Sequence, residues 1–193
     1  MSGHSRKFDP SRMAYLESDE RRTILDPDAV LRNFKVPTRG VIADIGCGPG
    51  VFTLPLAEIV GDNGRVYGVD TEPRMIERLR GKLRELGIQN IVVVQSTEDS
   101  IPLQDSHVDF ALMVTVLHEL EGLTTLHETR RILKEDGTLG VIDWKKKTEP
   151  MGPPIWHRLS EQEAAGLLAE AEFDPGTAFD LGRSHYGFAA RRI

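Results

Sequence analysis

Short apolar runs alternate with longer stretches of mixed character along most of the chain. Five of these runs are predicted strands, at about 41–45, 66–69, 91–94, 108–114 and 138–143. Three helices are predicted between them, at about 51–60, 73–87 and 123–134. Because strands that alternate with helices pack into a parallel sheet with helices on both faces, the pattern predicts a doubly wound α/β fold.

The two ends of the chain depart from this alternation. Residues 1–25 are largely polar, and we expect them to form a segment distinct from a single domain at 26–193. After the proline-rich link MGPPIWHRLS, a helix is predicted at about 160–171. Two further strands are predicted at about 176–182 and 186–192.

The glycine-rich stretch VIADIGCGPGVFT at 41–53 restricts the chemistry most tightly. An apolar strand here runs into a turn in which Gly46, Gly48 and Gly50 allow positive φ and close approach of the backbone to a ligand. The turn therefore indicates a ligand that carries adenosine. The dinucleotide pattern G-x-G-x-x-G is not met, because its sixth position is Val51.

A second predicted strand, RVYGVD at 65–70, ends in Asp70, twenty residues beyond Gly50. A carboxylate at the tip of this strand is placed to accept hydrogen bonds from both hydroxyls of a ribose. This feature serves NAD and S-adenosylmethionine alike, so it does not separate the two. Thr71, Glu72 and Pro73 then provide the start of the next helix.

The sequence DIGCGPG, in which Asp44 leads the three glycines, resembles motif I of the class I S-adenosylmethionine-dependent methyltransferases. Segments 92–113 and 130–144 also match the family pattern, and the resemblance covers about two thirds of the chain. It implies a single Rossmann-like, seven-stranded sheet, mostly parallel, with an antiparallel hairpin at its C-terminal edge. The implied cofactor is S-adenosylmethionine, with S-adenosylhomocysteine as product.

The resemblance also implies which residues contact the cofactor. They are Asp44, Gly46, Cys47, Gly48, Gly50, Asp70, Thr71, Ser96, Thr97, Glu98 and Val114. Ser96, Thr97 and Glu98 would lie at the adenine end, with Glu98 or Asp99 accepting from the adenine amino group. The amino-terminal segment would either cap the cofactor or be partly disordered, and as a cap it would bring Tyr15 or Arg12 to the cofactor carboxylate.

The tip of the fourth strand, VTVLHE at 114–119, lacks the D/N-P-P-aromatic motif of methyltransferases that act on amino groups. The sequence VLHEL at 116–120 resembles instead the small-molecule branch that includes ubiquinone and menaquinone biosynthesis enzymes, which methylate ring carbons or oxygens. His118 at this tip is a candidate general base toward a hydroxyl, because a neutral imidazole has a suitable proton affinity near physiological pH; a structural role, such as capping the following helix, is the favoured alternative. His118, Glu119 and His127 match no zinc spacing, so no metal is expected.

Three other features each have two interpretations. Trp144 and Trp156 either line a flat aromatic pocket or pack in the ordinary way. Lys145, Lys146 and Lys147 either draw an anionic substrate toward the pocket or form a solvated surface run, which is favoured. Cys47, the single cysteine, is interpreted as a small buried residue of the turn.

Composition and charge restrict the class of protein and its location in the cell. The chain has 193 residues and a formal net charge of −6, which disfavours tight binding to bulk nucleic acid. No apolar run is long enough to span a bilayer and no targeting segment is recognised, so we expect a cytoplasmic protein, monomeric or homodimeric. The sequence favours a methyltransferase for a small-molecule acceptor with an oxygen or carbon nucleophile. A protein or RNA methyltransferase and a non-catalytic S-adenosylmethionine- or S-adenosylhomocysteine-binding module are the alternatives.

Overall fold

Residues 7–193, the part of the chain that the computed structural model describes, form eight β-strands and seven α-helices. The strands are β1 (Val41–Ile45), β2 (Arg65–Asp70), β3 (Ile91–Gln95), β4 (Val108–Val114), β5 (Leu133–Trp144), β6 (Phe173–Asp174), β7 (Phe179–Leu181) and β8 (His185–Arg192). The helices are α1 (Met13–Leu16), α2 (Asp19–Ile24), α3 (Pro27–Leu31), α4 (Thr53–Val60), α5 (Pro73–Leu86), α6 (Thr124–Ile132) and α7 (Glu161–Glu170). Short 3-10 turns occur at Pro10–Arg12, Leu117–Glu119 and Ile155–His157.

The strands lie in one sheet in the order β3-β2-β1-β4-β5-β8. Strands β1 to β5 are parallel to one another, and β8 runs antiparallel to β5. One edge of β8 pairs with β5. Both β6 and β7 pair with the other edge of β8, so β6 and β7 together fill one strand position. The sheet thus has seven positions, and the predicted fold with its antiparallel C-terminal edge is confirmed.

Apolar cores lie on both faces of the sheet. Helices α3, α4 and α5 contribute to one core through residues such as Leu31, Leu56 and Leu79. Helices α6 and α7 contribute to the other through Leu126 and Leu168. Burial of β1 and β4 on both sides explains why these strands read as continuous apolar runs rather than as alternating patterns.

The sequence sets the start and end of α5 in a local way. The Glu72 side chain accepts a hydrogen bond from the Arg74 backbone N–H, and Pro73 occupies the first helical turn. Gly87 ends the helix in the left-handed region, with φ at +67°. The helix therefore begins three residues after Asp70, whose carboxylate accepts a hydrogen bond from the backbone N–H of the capping residue Glu72.

The strand order reverses between β1 and β4, because successive connections run toward β3 on one side and toward β5 on the other. In open α/β sheets, ligands bind outside the carboxyl ends of the strands at this reversal point. Within residues 7–193, none of the helices combines the length and apolar character needed to cross a lipid bilayer.

Candidate active site

A cavity of about 650 Å³ opens at the carboxyl ends of the central strands. Its walls come from the turn after β1, the end of β2, the loop after β3, the tip of β4 and the amino-terminal segment. The volume is in the range of sites that bind small molecules, roughly 300–1,000 Å³. The cavity therefore lies where the strand order predicts a ligand.

The glycine turn after β1 forms the cavity floor through Gly46, Cys47 and Gly48. Gly46 has a φ of +71°, and a Cβ there would lie 2.4 Å from Cγ2 of Val116. Gly48 has a φ of +53°, and its nearest neighbour would be Leu16 Cδ1 at 3.7 Å. A side chain at Gly48 would therefore project into space that the glycine leaves open to a ligand.

Gly50 does not line the cavity. Its φ is +89°, and a Cβ there would lie 2.5 Å from Cδ1 of Leu79 in α5. This glycine allows the helix to pack against the turn, where the Lys82 ammonium also donates to the Pro49 carbonyl over 2.7 Å. Gly50 therefore lies where the turn contacts α5 and not on the cavity wall.

Asp44, in β1 just before the turn, lines the cavity and is linked to the start of α4. Asp44 is buried, and its Oδ2 accepts a hydrogen bond of 2.6 Å from the Thr53 hydroxyl. Burial raises the pKa of Asp44 to about 7, although the Thr53 hydrogen bond opposes the shift. Cys47 is also buried, and burial raises the pKa of its thiol.

Asp70 lies on the cavity wall and is held by two backbone groups. Its Oδ2 accepts from the Gly48 N–H over 2.8 Å, and its Oδ1 accepts from the Glu72 N–H over 2.9 Å. Burial raises the pKa of Asp70, and these hydrogen bonds oppose that effect. Each oxygen keeps a second lone pair, so the anchored carboxylate is able to accept from two adjacent hydroxyls. Thr71 lies beside it on the wall.

The loop after β3 supplies the wall at the opposite end. Ser96, Thr97 and Glu98 all line the cavity, whereas Asp99 does not. Glu98 forms an ion pair with Lys7, which lines the cavity from the amino-terminal segment. Of the two acids considered for this end, Glu98 is therefore the one that faces the cavity.

At the tip of β4, Val114 lines the cavity but His118 does not. His118 is only 4% exposed, and its Nδ1 lies 2.7 Å from Oδ1 of the fully buried Asp143. Its backbone N–H also donates to Asp143 Oδ2 over 2.9 Å. Burial lowers the pKa of His118, but the charge and hydrogen bond of Asp143 and the charge of Glu119 outweigh it, so the pKa is raised.

Glu119 lies on the cavity wall. The sequence indicates no role for this residue beyond a metal site whose spacing does not fit. Oε1 of Glu119 is 3.8 Å from Nε2 of His118, and burial raises the pKa of this carboxyl to about 7. The backbone between Val114 and the 3-10 turn includes Thr115 in the left-handed region, with φ at +54°. The tip of β4 thus presents an ionisable carboxyl to the cavity, with the imidazole behind it.

The aromatic and basic residues after β5 do not line the cavity. Trp144 is buried between two guanidinium groups, those of Arg21 at 5.2 Å and Arg158 at 5.0 Å, whereas Trp156 is 73% exposed. The three lysines that follow Trp144 pair with carboxylates: Lys145 with Asp180, Lys146 with Glu163 and Lys147 with Glu149. Their charges are therefore largely compensated on the protein surface.

Residues 7–25, the described part of the amino-terminal segment, fold against the domain and form a further wall of the cavity. Leu16, Arg21 and Leu25 line it, whereas Tyr15 and Arg12 do not. Glu17 ties the segment to α5 through Arg78 at 3.1 Å and Lys82 at 2.5 Å. No hydrophobic or charge pattern in the sequence singles out Arg21, because its position depends on how α2 packs across the ends of the strands. Within the described part of the chain, no group of three or more His, Cys, Asp or Glu side chains is arranged to hold a metal ion.

A doubly wound sheet with a glycine turn and an acid-tipped second strand at its reversal point defines a nucleotide-binding α/β domain of the Rossmann-like class. Comparison with known proteins makes this more specific. A family model described as a methyltransferase domain matches residues 42–137. The crystal structure of an S-adenosylmethionine-dependent methyltransferase from Aquifex aeolicus is similar over 97% of this chain and 100% of that one, with a TM-score of 0.92 and 35% identity.

Two curated proteins show the same relationship in sequence. Demethylmenaquinone methyltransferase of Lactococcus lactis subsp. lactis (strain IL1403) is 33% identical over 114 residues, which are 57% of this chain and 44% of that protein. Ubiquinone/menaquinone biosynthesis C-methyltransferase of Shewanella sp. (strain W3-18-1) is 32% identical over 110 residues, 54% of this chain and 43% of that protein. The matched region thus spans less than half the length of these relatives. The chain belongs to the class I S-adenosylmethionine-dependent methyltransferases, a family of enzymes, and its cofactor is S-adenosylmethionine.

The cavity fits this cofactor in both size and chemistry. Asp70 offers two acceptor oxygens for the ribose hydroxyls, and Glu98 offers an acceptor for an exocyclic amino group at the other end. Gly48 leaves the floor open at the turn after β1, on the other side of Asp70 from Glu98. These acceptors would therefore suit the amino group and the hydroxyls of an adenosine placed from β3 toward β1.

Proposed function

We propose that this protein transfers the methyl group of S-adenosylmethionine to an oxygen or carbon nucleophile of a small molecule. One observation carries the proposal: the cavity unites the glycine turn, Asp70 and the ionisable Glu119 within a single walled space. The cofactor supplies a methyl group on a positively charged sulfur, from which a neutral thioether leaves. The residues of the chain bind and align the reactants and accept the proton that the nucleophile gives up.

In this proposal the cofactor is held by the residues that line the ends of β1, β2 and β3. Asp70 accepts from the ribose hydroxyls, Ser96, Thr97 and Glu98 surround the adenine, and the backbone from Gly46 to Gly48 lies beside the amino-acid part. Asp44 lines the cavity and links β1 to the start of α4. Val114 and Thr71 complete the wall through packing contacts. Gly50 contributes to the site through the position of α5.

The acceptor is proposed to be a small molecule because the amino-terminal segment walls the cavity. Leu16, Arg21 and Leu25 lie across the ends of the strands and wall one side of the space next to the β4 tip. Two relatives, a demethylmenaquinone methyltransferase and a ubiquinone/menaquinone biosynthesis C-methyltransferase, carry names that support the same class of acceptor. Phenols and quinone precursors are therefore the first compounds to examine.

Glu119 is proposed as the group that accepts the proton from the acceptor. Methylation of an O–H or C–H group releases one proton, and a carboxyl with a pKa of about 7 is suited to take it near neutral pH. His118 acts through Glu119 and is therefore a positioning residue. Asp143 accepts from Nδ1 and thereby fixes the imidazole with its Nε2 3.8 Å from Oε1 of Glu119.

The test is a transfer assay with S-adenosylmethionine that carries a labelled methyl group, purified protein and a panel of small phenols and quinone precursors. We expect label in a small-molecule product and an equal amount of S-adenosylhomocysteine. The matched variant Glu119→Gln should still bind S-adenosylhomocysteine while the rate of transfer falls by roughly a hundredfold. Label in added protein or RNA, with none in the small molecules, would contradict the proposed acceptor class.

A further inference from the structure

We propose that the hydroxyl of Thr115 binds the methyl acceptor by donating a hydrogen bond to a phenolic or enolic oxygen next to Glu119. The inference rests on the proposed function and deepens it, because it names a group that the acceptor must carry. Thr115 follows β4 directly, lines the cavity and is half-buried. A ligand in the space next to the β4 tip can therefore contact it.

The first argument is the backbone conformation of Thr115. Its φ is +54°, in the left-handed region, and its N–H donates to the Ile142 carbonyl over 2.7 Å. Within residues 7–193, four residues other than glycine have a positive φ, and Thr115 is the one with a β-branched side chain. This conformation is unfavourable for a β-branched residue and is readily adopted by glycine. Because strain of this kind is concentrated at functional sites, it points to a role for the side chain that a glycine would lose.

The second argument is that the Thr115 hydroxyl has a proton to donate. Across residues 7–193 it makes one long contact, in which Arg21 Nη2 donates to Oγ1 over 3.5 Å. A guanidinium carries donors only, and the pKa of Arg21, which burial lowers to about 10, leaves it charged near neutral pH. The hydroxyl proton is therefore directed away from Arg21 and meets no acceptor in the described part of the chain. A ligand oxygen in the cavity would supply that acceptor.

The third argument is that Thr115 and Glu119 line the same part of the cavity. The 3-10 turn that carries Glu119 begins two residues after Thr115, and the Glu119 N–H donates to the Val116 carbonyl over 2.8 Å. The residues proposed to hold adenine and ribose follow β3 and β2, on the other side of β1. The β4 tip is thus the side on which the acceptor is expected.

Together the two groups match both hydrogen-bonding capacities of a phenol. Its O–H donates to Glu119, and its oxygen accepts from Thr115. A ring that lacks this hydroxyl leaves both protein groups without a partner, and sites that hydrogen-bond a hydroxyl reject analogues that lack it. Thr115 therefore favours acceptors with an oxygen at the reacting position or beside it.

The test compares 4-nitrophenol with 4-nitrotoluene, two probes of nearly the same shape that differ in the hydroxyl. Each is equilibrated with protein saturated with S-adenosylhomocysteine, in buffer below the pKa of the phenol, and the bound fraction is measured by equilibrium dialysis. We expect the wild type to bind 4-nitrophenol more tightly. Thr115→Val keeps the shape and the strain but removes the hydroxyl, and it should reduce this preference by roughly three- to tenfold. Thr115→Ser should keep most of the preference.

Two further measurements separate ligand binding from a structural role. Thr115→Gly should lose the preference as Thr115→Val does, while its urea unfolding midpoint stays equal to that of the wild type or rises, because glycine adopts the left-handed region without strain. The calorimetric affinity for S-adenosylhomocysteine should be unchanged in all three variants. Thr23→Val, the same substitution at an exposed position of α2, is the matched control and should leave the preference intact.

The inference is overturned if the wild type binds both probes equally, or if Thr115→Val and Thr115→Gly keep the preference. A weaker affinity of Thr115→Val for S-adenosylhomocysteine would also overturn it, because the hydroxyl would then serve the cofactor. Failure of the wild type to bind S-adenosylhomocysteine is a different result. It would contradict the proposed function itself, since it would show that the cavity does not hold the cofactor.

Discussion

The substitution Asp143→Asn tests the buried pair that supports the β4 tip. Asp143 is fully buried and accepts three hydrogen bonds: His118 Nδ1 at 2.7 Å, His118 N–H at 2.9 Å and Trp144 N–H at 2.7 Å. An asparagine keeps the shape but presents an NH₂ group to these donors, so at least one buried N–H loses its acceptor. It also removes the charge that faces the imidazole.

The expected loss of stability follows from these contacts. Breaking a buried charged pair by changing one partner costs about 3–5 kcal/mol. For a domain of this size, 1 kcal/mol shifts the melting temperature by about 2–4 °C, so 3 kcal/mol corresponds to about 6–12 °C. Urea unfolding followed by circular dichroism measures the change. Asp180→Asn is the matched control, because this exposed carboxylate pairs only with groups at the surface and its loss should leave the unfolding midpoint nearly unchanged.

The pH dependence gives a second, independent readout of the same pair. The pKa of His118 in the folded protein is raised above the ordinary value of 6.5 for a histidine. The stability from the charged imidazole is therefore fully present below the unfolded pKa, and it is lost as the pH rises through the folded pKa. The gap between wild type and Asp143→Asn should narrow over this range without closing. A loss below about 1 kcal/mol, or a gap that does not change with pH, would refute a charged His118–Asp143 pair.

Three further outcomes concern the cavity. Asp70→Ala should weaken S-adenosylhomocysteine binding by ~1–3 kcal/mol in calorimetry, and an unchanged affinity would remove the ribose assignment. Gly48→Val should weaken S-adenosylhomocysteine binding by roughly tenfold or more, because its side chain fills the open space of the cavity. Gly50→Ala should instead lower the melting temperature while the folded protein still binds the ligand. Equal affinities in the two variants would argue against a binding role for Gly48 and a packing role for Gly50. Because the pKa of Glu119 is about 7, binding of S-adenosylmethionine at pH 7 should release up to about half a proton more than binding of S-adenosylhomocysteine does. Calorimetry in buffers of different ionisation enthalpy measures this difference, and Glu119→Gln should remove it.

The sequence was sufficient for features whose residues are neighbours along the chain. The glycine turn and the acid at the end of β2 each follow a buried strand, so their position at the edge of a parallel sheet could be predicted. The third glycine shows the limit of such reasoning. Gly50 belongs to the same motif, but its positive φ and its contact with Leu79 place it against α5 rather than on the cavity.

The parts that sequence could not predict depend on packing between distant segments. His118 and Glu119 are consecutive, and which of them faces the cavity is decided by Asp143, twenty-five residues further along. Arg21 lies on a helix of six residues with no distinctive pattern, and it reaches the cavity only because the segment is held against α5 by Glu17. No local propensity encodes such contacts.

The most direct test of the central claim is calorimetric titration of the purified protein with S-adenosylmethionine and S-adenosylhomocysteine, with NAD as the control. The cavity geometry predicts micromolar binding of both sulfur nucleosides and no binding of NAD. Binding of NAD alone, or of none of the three, would contradict the assignment of the glycine turn and Asp70 to S-adenosylmethionine.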